Sequence, residues 1–68
     1  MKYIVIRTKC YEVVRFFESQ RRKPVKVYYE DGQFALMFRV KARSRIEERL
    51  IAKILKDKAR RIEEEASP

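Results

Sequence analysis

Basic and aromatic residues alternate with apolar ones in the middle of the chain. Every second position gives Lys26 and Tyr28 in one run and Met37, Arg39 and Lys41 in the next, and most residues between them are apolar. Alternate side chains of a strand point to opposite faces of a sheet, so this spacing predicts one apolar face and one basic face. Cations pair with phosphates and tyrosine rings stack on bases, which is the chemistry that binds single-stranded RNA.

Other segments extend this predicted surface. The N-terminal strand adds Tyr3 and Arg7 on the assumption that its isoleucines face the core. The basic segments 21–23 and 43–45 widen the electrostatic footprint. The predicted nucleic-acid-binding residues are therefore Lys26, Tyr28, Arg39, Lys41, Arg43, Arg45, Arg7, Tyr3, Arg21, Arg22 and Lys23.

Other interpretations of this face stay open. Sheet surfaces often carry Lys, Arg and Tyr simply because these residues tolerate half-exposed strands. A second copy lying on the face would make it a homodimer interface. Val5 and Met37 favour that arrangement, whereas Arg39 and Lys41 oppose it because charges are depleted from interface cores.

Two alternative functions follow from these interpretations. One is a homodimeric protein-interaction module that uses the sheet face or an apolar helix stripe of Ile51, Leu55 and Ile62. The other is a duplex DNA-binding protein of the chromatin or regulatory type, because charge alone does not distinguish DNA from RNA.

Positive charge is concentrated in the first two thirds of the chain. The net charge is +8. Residues 1–46 hold twelve Lys or Arg and four acids, whereas residues 47–68 hold six of each. The excess in residues 1–46 favours a polyanionic partner, and the alternative is that it only keeps a small protein dispersed. We expect nucleic acid as the partner, with RNA favoured over DNA.

The residue inventory gives no support to catalysis or metal binding. The chain has no histidine, one cysteine and one glycine. It therefore lacks the usual base for a cysteine nucleophile, a zinc ligand set and a glycine-rich phosphate loop. Cys10 falls on an apolar helix stripe and is predicted to be a core residue. We expect no enzyme, no cofactor and no small-molecule substrate.

Length and composition indicate one small domain over residues 1–68. Its size is near the lower limit for a self-sufficient core, and a lone cysteine suits a reducing compartment. Since neither an apolar span nor a signal-peptide pattern is present, we expect a cytoplasmic protein without a membrane partner. Many Glu, Lys and Arg with few amides is typical of hyperthermophile proteins, which makes an archaeal source the natural expectation.

A hairpin is the clearest local element. Residues 25–30 and 33–42 alternate in polarity and flank Asp31-Gly32, a strong signal for a two-residue turn. This turn sets a register that extends to a Val25–Phe38 pair and places the apolar partners on one side. The turn and the hydrophobic pattern agree, which supports both.

A strand and a helix precede the hairpin. Residues 2–7 are β-branched and aromatic and predict a strand. We expect Thr8 to cap a helix that begins at Lys9 and ends before Pro24.

A long helix closes the chain. Ser44 and Glu47 have the spacing of a capping box, which predicts a helix over residues 45–65. We expect the tail 63–68 to fray.

These elements predict an α+β fold, β-α-β-β-α, with a three-stranded mixed sheet in the order 1-3-2 and two helices on one face. A right-handed crossover makes the first strand parallel to the second and leaves room for the third between them. The element order over residues 9–65 resembles small α+β RNA-binding subunits, such as the Alu-domain proteins of the signal recognition particle and small archaeal ribosomal proteins. The first strand departs from the signal-recognition layout, and no shared motif carries site residues over.

Overall fold

The structure, a computed structural model, describes residues 2–66. The elements in chain order are β1 (Lys2–Thr8), α1 (Tyr11–Glu18), β2 (Lys26–Glu30), β3 (Gln33–Val40) and α2 (Arg45–Ala66). The predicted α+β class, the element order and the long C-terminal helix are confirmed.

The sheet has the predicted strand order β1-β3-β2. β3 is antiparallel to both of its neighbours, so the sheet is antiparallel throughout and not mixed as predicted. β1 and β2 do run in the same direction, as the crossover rule requires. Because β3 separates them, they form no parallel ladder within residues 2–66.

The Asp31-Gly32 turn fixes the register of β2 on β3. Asp31 has a φ of 54° and Gly32 a φ of 79°, and a type I′ turn requires positive φ at both positions. The ladder then pairs Val27 with Leu36, as the sequence predicts.

The start of β2 and the end of β3 differ from the prediction. The Val25 N–H donates to the Met37 carbonyl oxygen at 2.8 Å, and Met37 is also the ladder partner of Lys26. Val25, the residue before β2, and Lys26 therefore both face Met37, which is the arrangement of a β-bulge. The bulge replaces the predicted Val25–Phe38 pair and leaves Val25 exposed. β3 ends at Val40 instead of continuing to residue 42.

Both helices cover the same face of the sheet. Phe17 of α1 packs edge-on against Phe38 of β3, with ring centroids 5.1 Å apart. Alternate strand residues point to this face, as the pleat requires. The buried core consists of Ile4, Ile6, Leu36 and Phe38 from the sheet, Val13, Val14 and Phe17 from α1, and Ala59 from α2.

α1 begins later and ends earlier than the predicted helix between Lys9 and Pro24. Thr8 does not cap it, because Thr8 is the buried last residue of β1. The Cys10 N–H instead donates to the Thr8 hydroxyl oxygen at 3.0 Å, a local bond that tightens the turn from strand to helix. Cys10 packs against the core, as predicted.

The capping pattern at the start of α2 is confirmed with one shift. The Glu47 N–H donates to the Ser44 hydroxyl oxygen at 3.2 Å. The Glu47 carboxylate accepts from the Arg43 N–H at 3.3 Å, one residue before the donor of a standard capping box. α2 continues through Ala66, so residues 63–66 of the tail expected to fray are helical. Residues 67–68 lie outside the described residues.

α2 carries apolar side chains on two sides. Ile51, Leu55 and Ile62 pack against the core, so the stripe that the sequence offered for self-association is already in use. A different set is exposed, which we call the α2 stripe: Ile46, Leu50 and Ile54.

Replacing Leu36 with Ala should remove much of the stability of the domain. Leu36 is 0% exposed and has ladder partners on both sides, so its truncation leaves a cavity in the core. We expect the free energy of unfolding to fall by about 2–5 kcal/mol, measured by urea unfolding followed by circular dichroism. Ile46→Ala is the matched control, because Ile46 is 81% exposed and should change the same quantity by less than about 0.5 kcal/mol. Equal losses in the two variants would contradict this burial pattern.

Candidate nucleic-acid interface

The face of the sheet away from the helices, called the open face below, is built in rows by the strand registers. The rows are Tyr3 beside Arg39, then Val5 beside Met37 and Lys26, then Arg7 beside Ala35 and Tyr28. With about 6.7 Å between rows and about 4.8 Å between strands, the three rows span a surface of about 13 by 10 Å. Tyr3 and Tyr28 lie at opposite corners of this surface, on the two outer strands.

The cations of the predicted site are exposed, and none of them has an acidic partner within residues 2–66. Every Lys and Arg of that set has an exposed side chain. The ion pairs found within residues 2–66 are Lys2–Glu48, Arg60–Asp57 and Arg60–Glu64, and none includes a predicted site residue. The positive charge of the open face is therefore free to attract an external anion.

The Tyr28 side chain is less exposed to solvent than the sequence suggests. Its side chain is half-buried, and the Lys26 ammonium lies 5.4 Å from the ring centroid in a cation–π contact. The neighbouring Ala35 is fully buried although it lies on the open face, because the longer side chains beside it cover so small a residue. Tyr3, at 53% exposed, offers the more accessible ring.

The structure brings only part of the predicted set together. Tyr3, Arg7, Lys26, Tyr28 and Arg39 share the open face. Lys41 lies just beyond the end of β3, at the edge of the sheet where the first row lies.

The two flanking basic segments lie apart from the open face. Residues 21–23 belong to the connection between α1 and β2, and Arg43 belongs to the connection between β3 and α2. Arg45 is the first residue of α2 and lines a groove with Ile4 and Ala52 on the helix side of β1. These residues enlarge the basic field around the domain without adding to the rows.

A basic rim beside β1 was only partly predicted, because Arg7 and Arg45 were expected in the site whereas Arg49 and Lys56 were not. Two shallow grooves between β1 and α2 are lined by Arg45 and Arg49 at one end and by Arg7 and Lys56 at the other, with one glutamate in each. The charges of residues 47–68 cancel in sum, so the segment looks neutral as a whole. Helical periodicity was the signal in the sequence that could have revealed this rim, because it places positions 45, 49 and 56 on one side of the helix.

An exposed aromatic cluster lies on the helix side of β2. The Phe34 ring has its centroid 5.8 Å from that of Tyr11 and 5.1 Å from that of Tyr29. Tyr29 is 65% exposed, because the helices pack over β1 and β3 and leave the edge of β2 partly uncovered. This cluster does not belong to the open face.

No group of three or more His, Cys, Asp or Glu side chains within residues 2–66 is arranged to hold a metal ion. In the same part of the chain, no helix is both long enough and apolar enough to cross a membrane.

The fold and the open face define a small α+β domain with a basic, tyrosine-bearing sheet surface. No protein-family model matches the chain, no curated protein matches it, and no solved structure matches it. The geometry and charge of the site itself are therefore what bears on its function.

Removing Arg39 and Lys41 together should leave the fold intact. Both side chains are exposed, and neither has an acidic partner within residues 2–66. We expect the Arg39→Ala/Lys41→Ala variant to change the free energy of unfolding by less than about 0.5 kcal/mol in a urea titration. A loss of more than about 2 kcal/mol would show instead that these cations make structural interactions.

Proposed function

We propose that the domain binds nucleic acid on the open face of the sheet, with single-stranded RNA favoured. The observation that carries the proposal is the segregation of the two faces. Both helices pack on one side, while Tyr3, Arg7, Lys26 and Arg39 lie on the other without acidic partners within residues 2–66. RNA-binding sheets combine exposed aromatic rings with cations in this way.

Cations and rings have different roles in this proposal. Arg7, Lys26 and Arg39 contact phosphates, and Lys41 extends the path of the backbone past the end of β3. Tyr3 stacks on a base, and Tyr28 stacks through the ring face that Lys26 leaves free. Because every base has a π-face, stacking of this kind gives affinity with little sequence preference.

The shape of the open face favours a single strand over a duplex. The major groove of B-DNA admits a helix or a two-stranded ribbon, whereas this face is three strands wide and backed by two helices. Tyrosine rings gain nothing from bases that are already stacked within a duplex, but they can stack on unpaired bases. Phosphate contacts are available from both single strands and duplexes, so they do not distinguish the two ligands.

Affinity for single-stranded RNA should fall when Arg39 and Lys41 are both replaced by Ala. We expect a loss of about tenfold or more at low salt, with a log–log salt slope shallower by about 1.4, since each lost phosphate contact removes about 0.7. Fluorescence anisotropy with labelled single-stranded RNA, single-stranded DNA and duplex DNA measures both quantities and ranks the ligands. Tightest binding to duplex DNA would replace the RNA proposal with DNA binding.

The matched control removes the same charge from α2. Lys53→Ala/Arg61→Ala deletes two exposed cations that lie away from the open face. Charges farther than a Debye length from the ligand are largely screened, and this length is about 8–10 Å at 0.1–0.15 M salt. At that ionic strength the control variant should keep most of the affinity. Equal losses in the two double variants would mean that net charge and not the open face determines binding, and would overturn the proposal.

Tyr3 and Tyr11 provide a matched test of stacking. They are 53% and 58% exposed, but Tyr3 lies on the open face and Tyr11 on α1. Tyr3→Ala should weaken binding of single-stranded RNA by about 1–3 kcal/mol, whereas Tyr11→Ala should leave it nearly unchanged. The same anisotropy titration measures both affinities. An unchanged affinity for Tyr3→Ala would remove stacking from the mechanism.

A protein-interaction module is the second candidate function, and the α2 stripe favours it. Ile46, Leu50 and Ile54 recur every four residues and are all exposed. A partner bound there would be lost in a Leu50→Lys variant, which leaves the open face untouched. Unchanged affinity for polynucleotides in Arg39→Ala/Lys41→Ala would give this candidate precedence.

A further inference from the structure

β2 is an uncovered edge of the sheet. It has β3 on one side, and no strand within residues 2–66 pairs with its other side. β1 is also an edge, but α2 runs beside it and is joined to it by the Lys2–Glu48 ion pair at 3.0 Å. An edge strand presents a row of unpaired N–H and C=O groups to which another chain can add.

The hairpin turn determines which backbone groups of β2 face outward. In a two-residue hairpin, the residues next to the turn form a hydrogen-bonded pair, and such pairs recur at every second residue. The even-numbered residues of β2 therefore bond to β3. Val27 and Tyr29 direct their N–H and C=O groups away from the sheet.

We propose that β2 is a homodimerisation edge, on which two copies of the chain pair antiparallel about a two-fold axis at Tyr28. In this register Val27 exchanges both backbone hydrogen bonds with Tyr29 of the partner subunit, and the symmetric pair does the same. Tyr28 then lies opposite the partner's Tyr28, at a non-hydrogen-bonded position where cross-strand side chains approach most closely.

The side chains of β2 complement themselves in this register. On the open face, Lys26 lies opposite the partner's Glu30 on each side of the axis, and opposite charges in that position stabilise a strand pair. On the helix side, Val27 lies opposite the partner's Tyr29, which covers a tyrosine that is 65% exposed in the single chain. The neighbouring registers that also pair the outward backbone groups place a charged residue opposite Tyr28 and lose both ion pairs.

Other surfaces suit a second copy less well. β1 contains two cations and no acid, so its self-pairing brings only like charges together. The α2 stripe is flanked on one side by Arg49, Lys53 and Arg60, and an antiparallel helix pair would set that basic flank against itself. The self-complementary charges lie on β2.

Pairing through β2 would join the two sheets into one of six strands. A two-fold axis perpendicular to the sheet keeps both open faces on the same side, so the open-face residues Arg7, Tyr28 and Arg39 of each copy form one wider surface. This consequence for nucleic acid rests on the proposed function, whereas the dimer itself does not. The strand has only five residues and begins at the Val25 bulge, so we expect a small, weak interface.

A charge swap tests the dimer in the absence of nucleic acid. Sedimentation equilibrium over a concentration series should show a monomer–dimer equilibrium for the natural sequence, strengthened by salt because each chain carries +8. Lys26→Glu and Glu30→Lys should each raise the dimer Kd by about tenfold, although one lowers and the other raises the net charge. The double variant Lys26→Glu/Glu30→Lys should restore the natural Kd. Circular dichroism confirms that each variant is folded.

Disulfide trapping tests the register. In a Cys10→Ala background, Tyr28→Cys should form a crosslinked dimer on oxidation, because non-hydrogen-bonded partners have Cα atoms about 4.5 Å apart, within disulfide range. Val25→Cys is the matched control, since Val25 is exposed, takes no part in the ion pairs, and lies six residues, about 20 Å, from its counterpart in the partner. Leu50→Lys should leave dimerisation unchanged.

Four results would overturn the proposal. They are a monomer at every concentration, a double swap that fails to restore dimerisation, equal crosslinking at positions 25 and 28, and a dimer that Leu50→Lys abolishes. Because these measurements contain no nucleic acid, their failure leaves the RNA-binding proposal to its own titrations. Loss of RNA binding in turn leaves the dimer standing.

Discussion

The register between β2 and β3 is the constraint on which both the core and the open face depend. Side chains alternate with a period of two, so a slip of one residue would carry Leu36 and Phe38 to solvent and turn Met37 and Arg39 towards the helices. Burying an unpaired Arg39 would be strongly unfavourable. The type I′ turn and the apolar pattern select the same register independently, which is why two short strands can specify one arrangement.

Stability and surface charge act against each other in so small a domain. The core is built from few side chains, and a chain of this size buries a modest fraction of its surface. A net charge of +8 adds self-repulsion that the three surface ion pairs within residues 2–66 offset weakly. None of these ion pairs includes a cation of the open face, so within residues 2–66 that charge is not offset by an acidic partner.

Local signals allowed the sequence to predict most of the fold. The turn, the capping pattern at Ser44 and the apolar helix stripe that includes Cys10 each depend on residues a few positions apart, and all three are confirmed. The strand order followed from the handedness of the crossover. The prediction of a mixed sheet was wrong. It considered the directions of all three strands and not which strands are hydrogen-bonded neighbours.

The failed predictions required knowledge of tertiary packing. Thr8 has the residue type of a helix cap, yet burial of β1 against the helices makes it the end of a strand. α2 carries more apolar residues than one face can hold, and the sequence alone did not show which of them would meet the core. Arg45, expected in the nucleic-acid site, was placed beside β1 by the start of α2, a geometry that charge counting cannot reveal.

The open face and the β2 edge share Lys26 and Tyr28, so the two proposals are linked thermodynamically. In the free protein, repulsion between two copies of charge +8 opposes pairing of β2, and salt relieves it. A bound polyanion relieves the same repulsion by lying across both open faces, although its own binding weakens as salt rises. By linkage, any factor by which RNA tightens the dimer is the factor by which dimerisation tightens RNA. Weak pairing through a short edge strand thus suits a dimer that forms on bound RNA. The RNA supplies the charge screening that two free chains lack.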